Sequence, residues 1–225
     1  ATIEDIDRQV ARMVDTLKRK GLYDNTLIVF TSDHGEYLGF HHMLLKGNYL
    51  YDPLARVPLI IKYPRGARAG SADDTLVSNT DVAPTILAGA GRSVPATMQG
   101  RDLARGGAGP EVIFSESFMG RHAMARTRTA KLILAEKEKR SLFFDLAKDP
   151  LEKDNRIDDP GYRGEIGRLR AAVFGWCDTL EPHRPYRDEN AQRIGQPNVP
   201  APDDGHVRTQ QRYFAAKMKE LQGEA

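Results

Sequence analysis

The stretch TLIVFTSDHGEYLGFHHMLLKG, residues 26–47, decides how the rest of the chain is read. It opens on an apolar, β-branched and aromatic run, TLIVFT, with no polar alternation. A strand buried on both faces reads this way, as in a parallel sheet covered by helices. Asp33 and His34 follow at the strand's carboxyl end, where ligands collect in open α/β sheets. Gly35 allows the backbone to turn there, so that neighbouring side chains can converge. A carboxylate oxygen and an imidazole nitrogen are sound ligands for a divalent ion. Two ligands are still fewer than Ca2+ or a catalytic Zn2+ takes from a protein. An Asx turn beside an unrelated histidine fits the tetrapeptide SDHG as well. Lys46 reads either as a point charge for an anionic oxygen, able to assist a leaving group, or as a solvated lysine. His41 and His42 carry the same two readings.

Working outward, residues 2–20 place Ile3, Ile6, Val10, Met13, Val14 and Leu17 on one helical stripe, and Gly21 is a natural stop. A helix, a short loop and a buried strand make half of a βαβ unit. VPLIIKY, residues 57–63, predicts a second buried strand with Pro58 at its start. TDVAPTILAGAG, residues 80–91, predicts a short helix capped by Thr80 or Asp81 and ended by Gly89 and Gly91. From about residue 110 the pattern changes. EVIFSES, RHAMARTR, AKLILA and SLFFDL are short extended runs parted by polar turns, which predicts a small antiparallel sheet. Residues 161–180 predict a helix with Ile166, Leu169, Val173, Phe174 and Trp176 inward. Residues 181–207 hold five prolines and little periodicity, and a last helix is expected over 208–222. The chain thus divides into an α/β part (1–109), a small α+β subdomain (110–180) and a Pro-rich arm with a terminal helix (181–225).

Composition removes several classes. The 225 residues are 40% hydrophobic and 28% charged, and the net charge is +2. That charge supplies no field for nucleic acid or an anionic membrane surface. No apolar run is long enough to span a bilayer. A single cysteine, Cys177, allows no intrachain disulfide and leaves the redox compartment open. The opening ATIEDIDRQV is neither a signal peptide nor an initiator-methionine start, so a fragment or processed product is expected.

Four blocks, taken in order, resemble the sulfatase family of the alkaline phosphatase superfamily. They are TLIVFTSDHGEYLGFHHMLLKG with the following LYDPLARVPLIIKYP, then SNTDVAPTILAGAG, then LFFDLAKDPLEKDN. The family shows S-D-H/N-G, L-G-x-H, K-G and R-V-P-L-I in that order, then D-x-x-P-T-L/I-L, then L-Y-D-L-x-x-D-P-x-E-x-x-N. Together with the helix ahead of them, the blocks span residues 1 to about 180. The resemblance implies an alkaline-phosphatase-like α/β sandwich followed by a small antiparallel sheet subdomain. It implies Asp33 and His34 as metal ligands, with Ca2+ expected and Mn2+ or Mg2+ as alternatives. It implies Lys46 as the lysine that contacts the sulfate and its bridging oxygen, and His41 as a further catalytic group. His122 and Arg126 fall where the family's subdomain borders the substrate, and are expected substrate contacts.

The resemblance also defines what is absent. Family sulfatases make a formylglycine from the cysteine of C-x-P-S-R and carry an Asp-Asp metal pair ahead of it. No C-x-P-S-R occurs here, and Cys177 is followed by Asp178, Thr179 and Leu180. The formylglycine is therefore expected in a missing N-terminal half of the same protein, with this chain inactive alone and its partner that half. The implied function is one wall of the active site of a metal-dependent sulfuric ester hydrolase acting on a sulfate ester. Phosphonate monoester and phosphodiester hydrolases share the same pattern. A non-catalytic assembly module, forming a homo-oligomer through residues 181–225, is the third reading. Bacterial periplasm and cytoplasm both remain open.

Overall fold

The computed structural model describes residues 2–47, 49–117, 122–135 and 141–180. The arm and terminal helix expected over 181–225 lie outside the described residues. The first part opens on α1 (Thr2–Arg19), with Glu4 and Asp5 in its first turn and Lys18 and Arg19 in its last, matched to the helix dipole. Gly21 ends it at φ +64°, with Leu22 N–H returning to the Leu17 carbonyl at 2.9 Å. The expected apolar stripe forms, but the described residues cover it only in part, leaving Val10, Val14 and Leu17 half-buried. No residue of α1 is buried, and Ile3 and Met13 are more than half exposed.

The strand at the head of the key stretch, β1 (Ile28–Thr31), pairs with β2 (Leu59–Lys62) in register Ile28↔Lys62 to Thr31↔Leu59. The pairing is antiparallel, which corrects the parallel sheet expected from the apolar run. The chain between the two strands is spent on turns, and its only α-helical element, α2 (Asp52–Ala55), is one turn long. That is too short to cover a sheet face on the way to a parallel partner. Neither strand has a buried residue; Phe30 is exposed and Ile60 is 63% exposed.

The next helix, α3 (Val82–Gly89), carries Pro84 in its first turn, as expected. Its cap differs from expectation. Asp81 stands at the cap position, but its carboxylate does not bond into α3. It closes a capping box with Ser78 over the short turn Asn79–Asp81, and it also accepts the Arg101 backbone N–H at 2.8 Å.

The second part is a four-stranded antiparallel sheet in the order β3 (Ile113–Glu116), β4 (His122–Arg126), β5 (Ala130–Ala135), β6 (Leu142–Asp145). Its two central strands are buried on both faces, and each face has its own cover. On one face Ala123, Ala125, Leu132, Leu134 and Phe143 pack against Ile166, Leu169 and Val173 of α4 (Arg163–Thr179). On the other, Met124, Ile133 and Phe144 pack against Leu50, with Tyr51 and Ala55 at the margin. The segment just after Lys46 is thus the second cover of the C-terminal sheet. Trp176 stacks on Phe114, ring centres 5.2 Å apart, and half-buried Cys177 packs at the edge of that core. Phe174, expected inward, is 38% exposed, because the inner line of α4 runs through Ile166, Leu169 and Val173.

Candidate active site

The SDHG turn leaves β1 and is held from two sides. On one side Asn79 donates its side-chain amide to the carbonyls of Ser32 (3.1 Å) and Asp33 (3.4 Å). On the other, the N–H groups of Gly35 and Glu36 donate to the carbonyls of Leu54 (2.8 Å) and Pro53 (3.1 Å). Ser32 Oγ closes the turn onto the His34 carbonyl at 2.7 Å. The glycine at position 35 serves a purpose other than the expected backbone turn. A Cβ there would lie 1.9 Å from the Pro53 carbonyl oxygen, so only glycine permits this close approach.

Asp33 Oδ1 accepts the His34 backbone N–H at 2.9 Å, while Oδ2 lies 3.6 Å from His34 Nε2. The His34 N–H, and then the imidazole beside it, hold the Asp33 carboxyl below its usual range. His34 Nδ1 faces the Gly35 carbonyl at 2.8 Å. A carbonyl only accepts, so Nδ1 carries a hydrogen and Nε2 is the nitrogen left to meet a ligand. Lys46 Nζ stands 3.2 Å from that Nε2. Asp33, His34 and Lys46 therefore meet at one place although the chain separates Lys46 from the other two.

Lys46 follows a contorted loop. Leu38, His41, His42 and Leu45 all have positive φ, between 49° and 60°. Side chains pay a steric penalty there that glycine does not, and such residues gather at functional sites. His41 packs edge-on to Phe40 (4.2 Å) and against Tyr51 (4.6 Å), and its buried Nε2 has no hydrogen-bond partner among the described residues.

Asp33, His34 and Lys46 line a trough of about 1690 Å³. Arg126 and Arg128 of the C-terminal part and Arg56 also line it. Arg126 is committed to a two-pronged ion pair with Asp52, at 3.0 and 3.2 Å. His122 is buried, tilted against Tyr49 with ring centres 4.7 Å apart, and neither it nor His41 contributes to the trough wall. Among the expected site residues, the structure brings Asp33, His34 and Lys46 together, adds Arg126 on the same trough, and sets His41 and His122 into aromatic packing.

The turn offers two ligand atoms, Asp33 Oδ2 and His34 Nε2, and this pair suits a divalent cation as half of a coordination shell. Among the described residues no cluster of three or more His, Cys, Asp or Glu side chains completes it. Sequence reading passed over Asn79, which bonds to the turn's backbone, and over Asp52, Lys131 and Glu152, which form a charge cluster with Arg126. Only the polarity of Lys131 inside the apolar run AKLILA marked any of them.

Comparisons with known proteins identify the family. A family model described as Sulfatase matches residues 1–92. The uncharacterized sulfatase YidJ of Escherichia coli K12 is 31% identical over 219 residues, which is 89% of this chain and 43% of that protein. A protein solved in complex with its substrate D-glucosamine-2-N,6-O-disulfate superposes with a TM-score of 0.70 at 30% identity, over 79% of this chain and 39% of the other. The phosphonate monoester hydrolase of Agrobacterium radiobacter superposes at 0.68 and 28% identity, over 82% and 41%. The chain thus spans less than half the length of the relatives it matches. The fold is that of the alkaline phosphatase superfamily, and the chain belongs to its sulfatase family.

Proposed function

We propose that this chain forms one wall of the active site of a metal-dependent sulfuric ester hydrolase, with the nucleophile supplied from outside these 225 residues. The observation that carries the reading is the meeting of Asp33, His34 and Lys46 in the wall of the trough, with Lys46 Nζ 3.2 Å from His34 Nε2. Asp33 Oδ2 and His34 Nε2 would hold the cation, for which Ca2+ is the first candidate and Mn2+ or Mg2+ the alternatives. When bound, such an ion polarises the ester and stabilises developing negative charge. The ammonium of Lys46 donates to the bridging oxygen of the ester and neutralises charge as the leaving oxygen departs. Arg126, paired with Asp52 and bonded to the Thr127 carbonyl, borders the same trough and would meet the rest of the substrate only through the N–H groups those partners leave over. His41 and His122 act behind this wall, by packing the aromatic cluster that carries Tyr49 and Tyr51.

Sulfated amino sugars are the first esters to test, because a solved relative was caught with a disulfated glucosamine. The likeness to a phosphonate monoester hydrolase supports a second reading, a phosphorus ester at the same site. The test is an assay of protein carrying this chain together with a C-x-P-S-R segment, against 4-nitrophenyl sulfate and a phenyl phosphonate, with and without Ca2+ or Mn2+. Metal-dependent sulfate release is expected. Lys46→Ala should lower kcat about 100-fold or more, as removal of one charge-stabilising donor does elsewhere. Preference for the phosphonate moves the assignment to the second reading; hydrolysis of neither ester overturns both.

A further inference from the structure

The least expected side chain in the molecule is Lys131, which lies in the middle of β5 and is 0% exposed. Its ammonium donates to an Asp52 carboxylate oxygen and to the Leu50 carbonyl at 3.1 Å, and it forms an ion pair with Glu152 Oε1 at 2.6 Å. Glu152 uses its other oxygen, Oε2, to accept the Asp52 backbone N–H at 2.6 Å. It does so from a positive φ of 53°, a conformation that a non-glycine residue holds only when its surroundings impose it. Arg126 grips the Asp52 carboxylate from the trough side. Buried charges of this kind add little net stability compared with apolar packing, and their best-attested use is to enforce one geometry.

The geometry enforced here lies close to the chemistry. Asp52 is the first residue of α2, and the two residues after it are Pro53 and Leu54. Their carbonyls accept the Glu36 and Gly35 N–H groups, with the Gly35 backbone pressed against Pro53. We infer that Lys131, acting through Asp52, is a positioning residue for the Asp33–His34 turn, so that the C-terminal sheet sets the geometry of a site to which it contributes no ligand. This inference rests on the proposed function for its catalytic meaning, but the contact chain is physical and can be tested without any ester or metal.

The experiment is residue-resolved amide hydrogen exchange on the full chain. Three variants are compared: Lys131→Met, Asp52→Asn, and Val173→Ala as a control that weakens the sheet from its far face without touching the charges. Protection at Gly35 and Glu36 should fall about tenfold or more in Lys131→Met and Asp52→Asn, beyond any loss at Leu132 and Ile133. In Val173→Ala all four amides should fall together or not at all. If the charge variants lower Gly35 and Glu36 only in step with Leu132 and Ile133, the cluster is merely structural and the inference is overturned. Should Lys131→Met not fold, Asp52→Asn, which keeps the shape and removes one charge, decides the matter alone. Asp33→Asn separates this inference from the functional proposal: it should abolish metal-dependent hydrolysis while leaving protection at Gly35 and Glu36 unchanged.

Discussion

The two halves of the described chain solve the burial problem in opposite ways. In the C-terminal part, β4 and β5 are buried almost residue for residue, with α4 on one face and the segment around Leu50 on the other. In the N-terminal part, α1 has an apolar stripe and no buried residue, and β1 and β2 have only each other for partners among the described strands. One half is a closed core; the other, which carries Asp33, His34 and Lys46, has faces that the described residues leave open. The SDHG turn bonds to α2 through the Gly35 and Glu36 N–H groups, and α2 reaches the C-terminal sheet through Asp52.

This contrast can be broken by measurement. The largest effect is expected at Leu169, which is fully buried between α4 and the sheet. Leu169→Ala should cost about 2–5 kcal/mol in denaturant unfolding. A loss below about 1 kcal/mol would mean that the C-terminal part is not the closed core described here.

A middle-sized effect concerns pH and the join between the halves. Burial pushes the Asp52 carboxyl up, but Lys131 and Arg126 outweigh it, and the net direction is down. A carboxylate lowered on folding contributes stability that is complete above its unfolded value, about 4, and is lost as pH falls through the lower folded value. Glu152 runs the other way: burial raises its carboxyl despite Lys131, so its charge detracts from stability as pH rises from the ordinary range through its folded value. Asp52→Asn should therefore flatten the acid limb of the stability curve below about pH 4, and Glu152→Gln should remove a loss of stability that sets in as pH rises above about 4. Unfolding midpoints taken across pH 2–7 would show both slopes, and identical slopes in all three proteins would refute the assigned directions.

The smallest effect is expected on the open side. Ile6 is half exposed on the apolar stripe of α1. Ile6→Gln should change stability by no more than about 0.5 kcal/mol, as surface substitutions usually do. A larger loss in the chain by itself would show that the stripe packs within it, and the contrast between the halves would fail.

Local order along the chain was legible from residues alone. The stripe and glycine stop of α1, the strand at TLIVFT, the helix around Pro84, the short strands after residue 110 and the inner line of α4 all follow from periodicity and turn chemistry. The choice of Asp33, His34 and Lys46 came instead from the resemblance of the ordered blocks to the sulfatase family. Partner and direction were not legible. An apolar run looks the same whether its neighbour is parallel or antiparallel, or whether its faces are covered, and β1 proved antiparallel and open. Nor does the sequence show why position 35 is glycine, since the Pro53 carbonyl that excludes a side chain lies in a different segment.

Periodicity and motif order, which depend on neighbours along the chain, determined the elements, their sequence and the candidate site side chains. The tertiary structure alone decided which of those side chains meet and what holds them. Lys131 at the centre of an apolar strand contradicts its local pattern until Asp52, Glu152 and the Leu50 carbonyl are brought to it from two other segments. A buried ammonium is tolerated only when it is paired and hydrogen-bonded, and whether that happens depends on distances in space, which no stretch of sequence contains.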